Sequence, residues 1–258
     1  MSNFDRNAPV WGAGRAQQTS AVEIDQGLRS FMLGVYNNMT IGLAITGLVA
    51  IGISMLAIAG VSPTGKVTAM TPLGQALYLS PLKWAVMLAP LAFILFFSFK
   101  AESMSASAAR TMFFVFAAVM GISLSSIFIV FTGESIARVF FITAAAFGGL
   151  SLFGYTTKKS LSGMGSFLIM GLIGLVIASV VNIFLQQPML YWIINAAGVL
   201  IFAGLTAYDT QKLKMTYYAI GGDETGKAVA TNFGALSLYL DFINLFQFLL
   251  AFMGGRRE

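Results

Sequence analysis

Two aspartates lie at or within long apolar stretches, where a carboxyl group is costly. Asp241 stands in the middle of the apolar stretch 232–253, and Asp209 directly follows the apolar stretch 190–208. A carboxyl group inside a membrane costs several kcal/mol unless it is paired, protonated or hydrated. Each aspartate is therefore a candidate functional residue, although Asp209 also fits an ordinary interfacial position at a helix end.

The two carboxyl groups would acquire a specific chemistry if consecutive helices bring them together. Two carboxylates in a dry site cannot both ionise cheaply, so they share one proton. The protonated pair would bridge two helices, and the deprotonated pair would repel them or attract a cation. Carboxylate oxygens are hard ligands that suit calcium. We therefore expect Asp209 and Asp241 to act as a pH sensor or gate and to bind calcium transiently.

Composition excludes many other functions. The 258 residues include no Cys and no His, which removes disulfides, thiolate metal sites, Ser-His-Asp triads and haem pockets held by His. We expect no cofactor. The net charge of +5 is explained by Lys and Arg in cytoplasmic loops of a membrane protein, so no nucleic-acid partner is expected.

The elements that position the aspartates follow from where charges are missing. Only 10% of residues are charged, against about a quarter in soluble domains, so the surroundings must be a lipid bilayer. A spanning helix needs about 20 apolar residues. The charge-free runs predict one all-α domain, residues 31–253, with seven transmembrane helices at about 32–58, 84–99, 111–131, 138–156, 165–185, 190–208 and 232–253.

The ends of the chain and its orientation follow from polarity. Residues 1–30 are polar and predict a disordered tail, and residues 254–258 form a short C-terminal end. Lys and Arg are more numerous on the side that holds the N-terminus, which predicts a cytoplasmic N-terminus. Frequent Gly and Ala within the spans indicate a tightly packed bundle.

Four polar residues share the apolar stretches. Asn244 and Gln247 follow Asp241, while Asn182 and Asn195 lie in the fifth and sixth spans. We expect them to form interhelical hydrogen bonds, with pore lining as the alternative.

The sequences of three segments resemble those of a known family. Ala207-Tyr208-Asp209-Thr210-Gln211, the residues 235–246 around Asp241, and Gly154-Tyr155-Thr156-Thr157-Lys158-Lys159 resemble the transmembrane Bax-inhibitor-motif family, especially its bacterial branch. The resemblance implies a seven-helix bundle whose last helix is central, in the inner membrane of a bacterium. It also implies a pH-sensitive calcium leak whose paired aspartates match Asp209 and Asp241.

The same resemblance implies a latch. The family's bacterial leak protein has a basic residue at the inner end of the second helix, which bonds the sixth-helix aspartate when the pore is closed. Lys100 is the positional match, where Arg is expected. Because Lys cannot grip a carboxylate with two parallel bonds, the latch is weaker or absent here, and Lys100 alternatively serves as a positive-inside anchor.

Two other functions compete with the leak. A bacterial family member restrains a membrane-bound quality-control protease, and here the N-terminal tail would be the segment presented to such a partner. Intramembrane aspartyl proteases also carry Tyr-Asp, as at Tyr208-Asp209, but they need Gly-x-Gly-Asp where this chain has Leu238-Tyr239-Leu240-Asp241. We therefore expect a channel-like protein that is not an enzyme.

Overall fold

The structure, a computed structural model, describes residues 11–62, 66–100 and 104–257, and the side chains of residues 26–62, 66–96, 99 and 104–257. These residues form nine helices and one hairpin: α1 (Trp11–Ala57), β1 (Ile58–Val61), β2 (Val67–Met70), α2 (Pro72–Tyr78), α3 (Leu82–Lys100), α4 (Ala106–Leu124), α5 (Ile127–Val130), α6 (Gly133–Thr156), α7 (Ser162–Leu185), α8 (Pro188–Ile220) and α9 (Glu224–Met253).

The helices confirm an all-α membrane protein. Within the described residues, six helical segments are long and apolar enough to cross a membrane, and the pair α2 and α3, bent by 63°, brings the number to as many as seven. The antiparallel strands β1 and β2 lie in the connection before α2 and were not predicted. Each strand has only four residues. Charge-free runs predict membrane spans, and strands this short leave no signal in them.

Two helices extend well beyond their predicted spans. α8 continues to Ile220, so Asp209 lies inside a helix and not at its end. The prediction placed that end at the first charges, but charges mark where the membrane stops and a helix can continue into water. At the other terminus, α1 already begins at Trp11, within the predicted tail. Residues 1–10 lie outside the described residues.

The reversal between α7 and α8 follows from four residues. Gln186 adopts the left-handed conformation, with φ of 51°, and ends α7. The side-chain oxygen of Asn182 accepts a hydrogen bond from the Gln187 backbone N–H at 3.0 Å. Pro188 then begins α8, where its missing N–H costs nothing. The turn therefore stands at the polar break in the longest charge-free run.

The last helix is central. α9 packs against α8, α1, α6 and α4, and it has the largest buried share of the candidate spans. Tyr239 is completely buried and lies edge-on to the rings of Phe113 and Phe116 on α4. Its hydroxyl forms a 2.7 Å hydrogen bond with Thr46 on α1. These contacts surround α9 on several sides and confirm the central position that the family resemblance implies.

Candidate functional site

Asp209 and Ser237 join the two helices that carry the aspartates. The Ser237 hydroxyl on α9 donates a hydrogen bond to Asp209 Oδ2 on α8 at 2.5 Å. This short distance is typical of a hydroxyl that donates to a carboxylate. Asp209 is half-buried, and its side chain therefore faces the interface between α8 and α9.

Asp241 lies one helical turn beyond Ser237 on α9, on the same face of the helix. Its side chain is 5% exposed, and its Oδ2 atom is buried without a hydrogen-bond partner among the described residues. Within the described part of the chain, no hydrogen bond joins the two carboxyl groups directly, and the side-chain hydrogen bond of Asp209 across α8 and α9 comes from Ser237.

A glycine positions the backbone beside Asp209. Gly154, near the end of α6, packs against the backbone of Ala207 on α8, and a Cβ atom at this position would overlap the Ala207 carbonyl group. The absence of a side chain thus lets α6 approach α8 two residues before Asp209. Gly165 on α7 similarly packs against the ring of Tyr208. These glycines bring α6 and α7 close to the segment that holds Asp209.

The residues that follow Asp209 fix its helix to its neighbours. Thr210 is bonded to Ser151 on α6 at 2.9 Å, and the Ser151 hydroxyl also bonds the Tyr36 hydroxyl on α1 at 2.5 Å. The side chain of Gln211 accepts a hydrogen bond from the Leu161 N–H at 2.7 Å and donates another to the Lys159 carbonyl at 2.8 Å. Thr210 and Gln211 belong to the segment that resembles the family, which is the sequence signal for these contacts.

Ser237, Ser151 and Tyr36 were not predicted. Serine is common in membrane helices, where its hydroxyl often bonds its own helix backbone. No feature of the sequence indicates which serine faces a neighbouring helix instead. The one indication in the sequence is that Ser237 lies four residues before Asp241, which places both on the same face of a helix.

The other predicted polar residues lie elsewhere. Asn244 donates to the Leu240 carbonyl at 2.8 Å, and Asn195 donates to the Tyr191 carbonyl at 2.7 Å, each within its own helix. Asn182 caps the α7–α8 turn. Interhelical amide contacts are instead made by Asn232 on α9, which accepts from Asn38 on α1 at 3.0 Å and donates to the Ala106 carbonyl on α4 at 3.0 Å.

Gln247 lines a cavity of about 540 Å³ that is bounded by α2, α3, α4 and α5. Asn182 lines another of about 650 Å³ at the α7–α8 turn. Lys100 ends α3, but its side chain lies outside the described part of the structure, and so does the predicted latch. Among the described residues, no group of three or more His, Cys, Asp or Glu side chains is placed to hold a metal ion.

Comparison with known proteins decides the family. Residues 28–258 match the family model described as "Inhibitor of apoptosis-promoting Bax1". The chain belongs to the Bax inhibitor family. This Bax inhibitor family chain is 52% identical to a protein of Caulobacter vibrioides, over 100% of both chains. It is 42% identical to a protein of Rickettsia prowazekii, over 91% of this chain and 93% of the relative.

A third relative carries a descriptive name. The chain is 41% identical to inner membrane protein YbhL of Escherichia coli strain K12, over 92% of this chain and 97% of that protein. The three relatives are bacterial, in agreement with the branch of the family that the sequence resembles.

Proposed function

We propose that this chain is a multi-pass protein of the bacterial inner membrane that leaks cations, calcium in particular, under control of the Asp209–Asp241 pair. The observation that carries the proposal is the buried Oδ2 atom of Asp241, which has no hydrogen-bond partner among the described residues. The inner-membrane location is supported by the similarity to YbhL. The cytoplasmic position of the N-terminus is supported by the distribution of Lys and Arg.

The mechanism depends on how many protons the site holds. A protonated Asp241 carries no charge and can remain buried in the centre of the bundle. When both carboxyl groups are ionised, two like charges face each other across α8 and α9 in surroundings of low dielectric constant. A divalent cation would relieve that repulsion, because carboxylate oxygens are the ligands that calcium prefers. Loss of protons therefore converts a closed helix interface into a transient cation site.

The proposal is tested by calcium flux into proteoliposomes across a series of pH values. The native chain should conduct calcium at a rate that changes with pH. Asp241→Asn keeps the size and polarity of the side chain but cannot ionise, so it should remove the pH dependence, and Asp209→Asn should do the same.

Asp223→Asn is the matched control. Asp223 is exposed and precedes α9, so this substitution removes the same charge outside the bundle and should leave the flux and its pH dependence unchanged. Equal pH dependence in the native chain and in Asp241→Asn would overturn the proposed gate. A native chain without calcium flux at any pH would overturn the leak itself.

A further inference from the structure

A long apolar groove separates α1 from α6. Its volume is about 590 Å³, and it is lined by side chains such as Met39 and Leu43 of α1 and Phe147 of α6, with Phe242 of α9 as part of its wall. Arg29 is the one charged residue among the described lining residues. The hydrogen bond between Tyr36 and Ser151 crosses from one helix to the other at this groove. We call this feature the α1–α6 groove.

The length of the α1–α6 groove matches one leaflet of a bilayer. Its lining runs along α1 from Arg29 to Leu43 and along α6 from Tyr155 to Phe140. At 1.5 Å per residue, the two stretches are about 21–23 Å long. Half of a bilayer, including its headgroup region, measures about 20–22 Å. One lipid tail with its headgroup would thus occupy the groove from end to end.

Positive charge is gathered at one end of the groove. Arg29 is exposed at that end, and Lys158 and Lys159 follow the same end of α6 after one residue. Lys214 of α8 reaches there too, since its ammonium group donates to the Tyr155 carbonyl at 3.2 Å. Basic pockets between transmembrane helices on the cytoplasmic side are suited to anionic lipid headgroups. This is the end of the bundle that the Lys and Arg distribution predicts to be cytoplasmic.

The groove is also open toward the surrounding membrane. Leu33 on α1 and Leu152 on α6 line it and are exposed. Gly148 lines it as well, and a Cβ atom at that position would meet no atom within 4 Å. A lipid tail could therefore enter sideways from the bilayer without any rearrangement of the helices.

From the length, the charge and the opening together, we propose that the α1–α6 groove binds an anionic phospholipid of the cytoplasmic leaflet. The phosphate lies at Arg29, and one acyl chain lies along the groove against Phe242. Because Phe242 follows Asp241 directly in α9, the bound lipid contacts the central helix beside the candidate gate. The site does not depend on the calcium leak, since it follows from shape and charge alone.

The test is native mass spectrometry of the full chain purified in detergent, with phosphatidylglycerol added as the anionic probe and phosphatidylcholine with the same acyl chains as the zwitterionic probe. The native chain should retain phosphatidylglycerol preferentially. Arg29→Gln should weaken phosphatidylglycerol binding about fivefold and weaken phosphatidylcholine binding less, because the choline ammonium group of that lipid already offsets the charge of its phosphate. Arg110→Gln is the matched control, because Arg110 is an exposed residue of α4 outside the groove.

Gly148→Leu tests the acyl chain. The leucine side chain would occupy the groove and should weaken binding of both lipids about fivefold or more. Gly149→Leu is the matched control, because Gly149 is next to Gly148, also has open space at its Cβ position and does not line the groove. Thermal unfolding of both variants verifies that they are folded.

Two results would overturn the proposal. One is equal retention of the two lipids by the native chain, which removes the role of Arg29. The other is equal retention of phosphatidylglycerol by Gly148→Leu and Gly149→Leu, which places the bound lipid elsewhere on the surface.

Discussion

The contact between Gly154 and Ala207 offers a direct test of how the helices beside Asp209 are held. A Cβ atom added at Gly154 would overlap the Ala207 carbonyl group and would lie 2.9 Å from the Ala207 Cα atom. The overlapped atoms belong to the backbone, which cannot rotate away as a side chain could. Gly154→Ala therefore requires α6 and α8 to move apart by about 1 Å to restore a normal van der Waals separation.

The magnitude follows from two opposing effects. Overpacking of this kind costs about 1–3 kcal/mol, while replacement of Gly by Ala inside a helix gains about 1 kcal/mol. Gly149→Ala isolates the second effect, because Gly149 lies in the same helix and has nothing within 4 Å of its Cβ position. The difference between the two variants should therefore equal the cost of the overlap. For a chain of this size, that cost lowers the midpoint of thermal unfolding by about 2–12 °C.

The assay is thermal unfolding of both variants in the same detergent. Gly154→Ala should unfold at a lower temperature than Gly149→Ala. If its unfolding temperature is equal or higher, the close approach of α6 to α8 at Gly154 does not stabilise this region. Calcium flux adds a second readout, because a displaced Ala207 moves the neighbouring Asp209 and should alter the pH dependence.

Three further predictions concern the site and the core. Calcium should compete with protons, so its apparent affinity should rise with pH by up to about tenfold per pH unit for one displaced proton. Binding titrations at several pH values measure this affinity. An affinity that falls as the pH rises would contradict the prediction. Tyr239→Phe should cost about 0.5–1.5 kcal/mol, because Thr46 keeps its bond to the Ala117 carbonyl at 2.8 Å. Asn232→Ala should cost more, about 1–3 kcal/mol, because it leaves the buried Asn38 amide group without its acceptor; thermal unfolding that ranks these two variants in the opposite order would show that the amide contact matters less than the hydroxyl contact.

The spans were predictable because a bilayer imposes one strong rule. Charged residues are rare in its interior, so the predicted spans 138–156 and 165–185 fall inside α6 and α7. The ends of the helices do not have to coincide with the edges of the membrane. α8 passes Lys212 and Lys214 and ends only at Ile220, since a helix that has left the membrane can carry charged residues. The predicted boundaries therefore locate the membrane better than they locate the helices.

The site was predictable only in part, for a related reason. Asp209 and Asp241 are conspicuous because a carboxyl group in a membrane is costly whatever its neighbours are. Hydroxyl groups are not conspicuous in the sequence, because they can bond the backbone of their own helix at little cost. Thr143, which is fully buried, bonds only the Val139 carbonyl of its own helix at 2.8 Å among its described hydrogen bonds. Ser237 is half-buried and bonds Asp209 on the neighbouring helix instead, an outcome that depends on how α9 is rotated about its axis.

The side-chain hydrogen bonds around Asp209 are distributed unevenly between its two sides. Toward α6 and the α6–α7 connection, α8 is held by the Gly154 packing and by the hydrogen bonds of Thr210, Gln211 and Lys214. Toward α9, the described side-chain hydrogen bond of Asp209 is the one from Ser237. A change in the charge of the aspartates should therefore act first on the Ser237 bond.

This asymmetry makes Ser237→Ala the most informative single substitution for the gate. A hydrogen bond to a charged group contributes about 1.5–3 kcal/mol, and 1.36 kcal/mol corresponds to one pH unit. We therefore expect Ser237→Ala to move the midpoint of the calcium flux curve by about 1–2 pH units. Ser179→Ala is the matched control, because Ser179 on α7 bonds only the Leu175 carbonyl of its own helix among its described contacts. If both variants keep the native midpoint, the Ser237 bond holds the helices together without taking part in the response to pH.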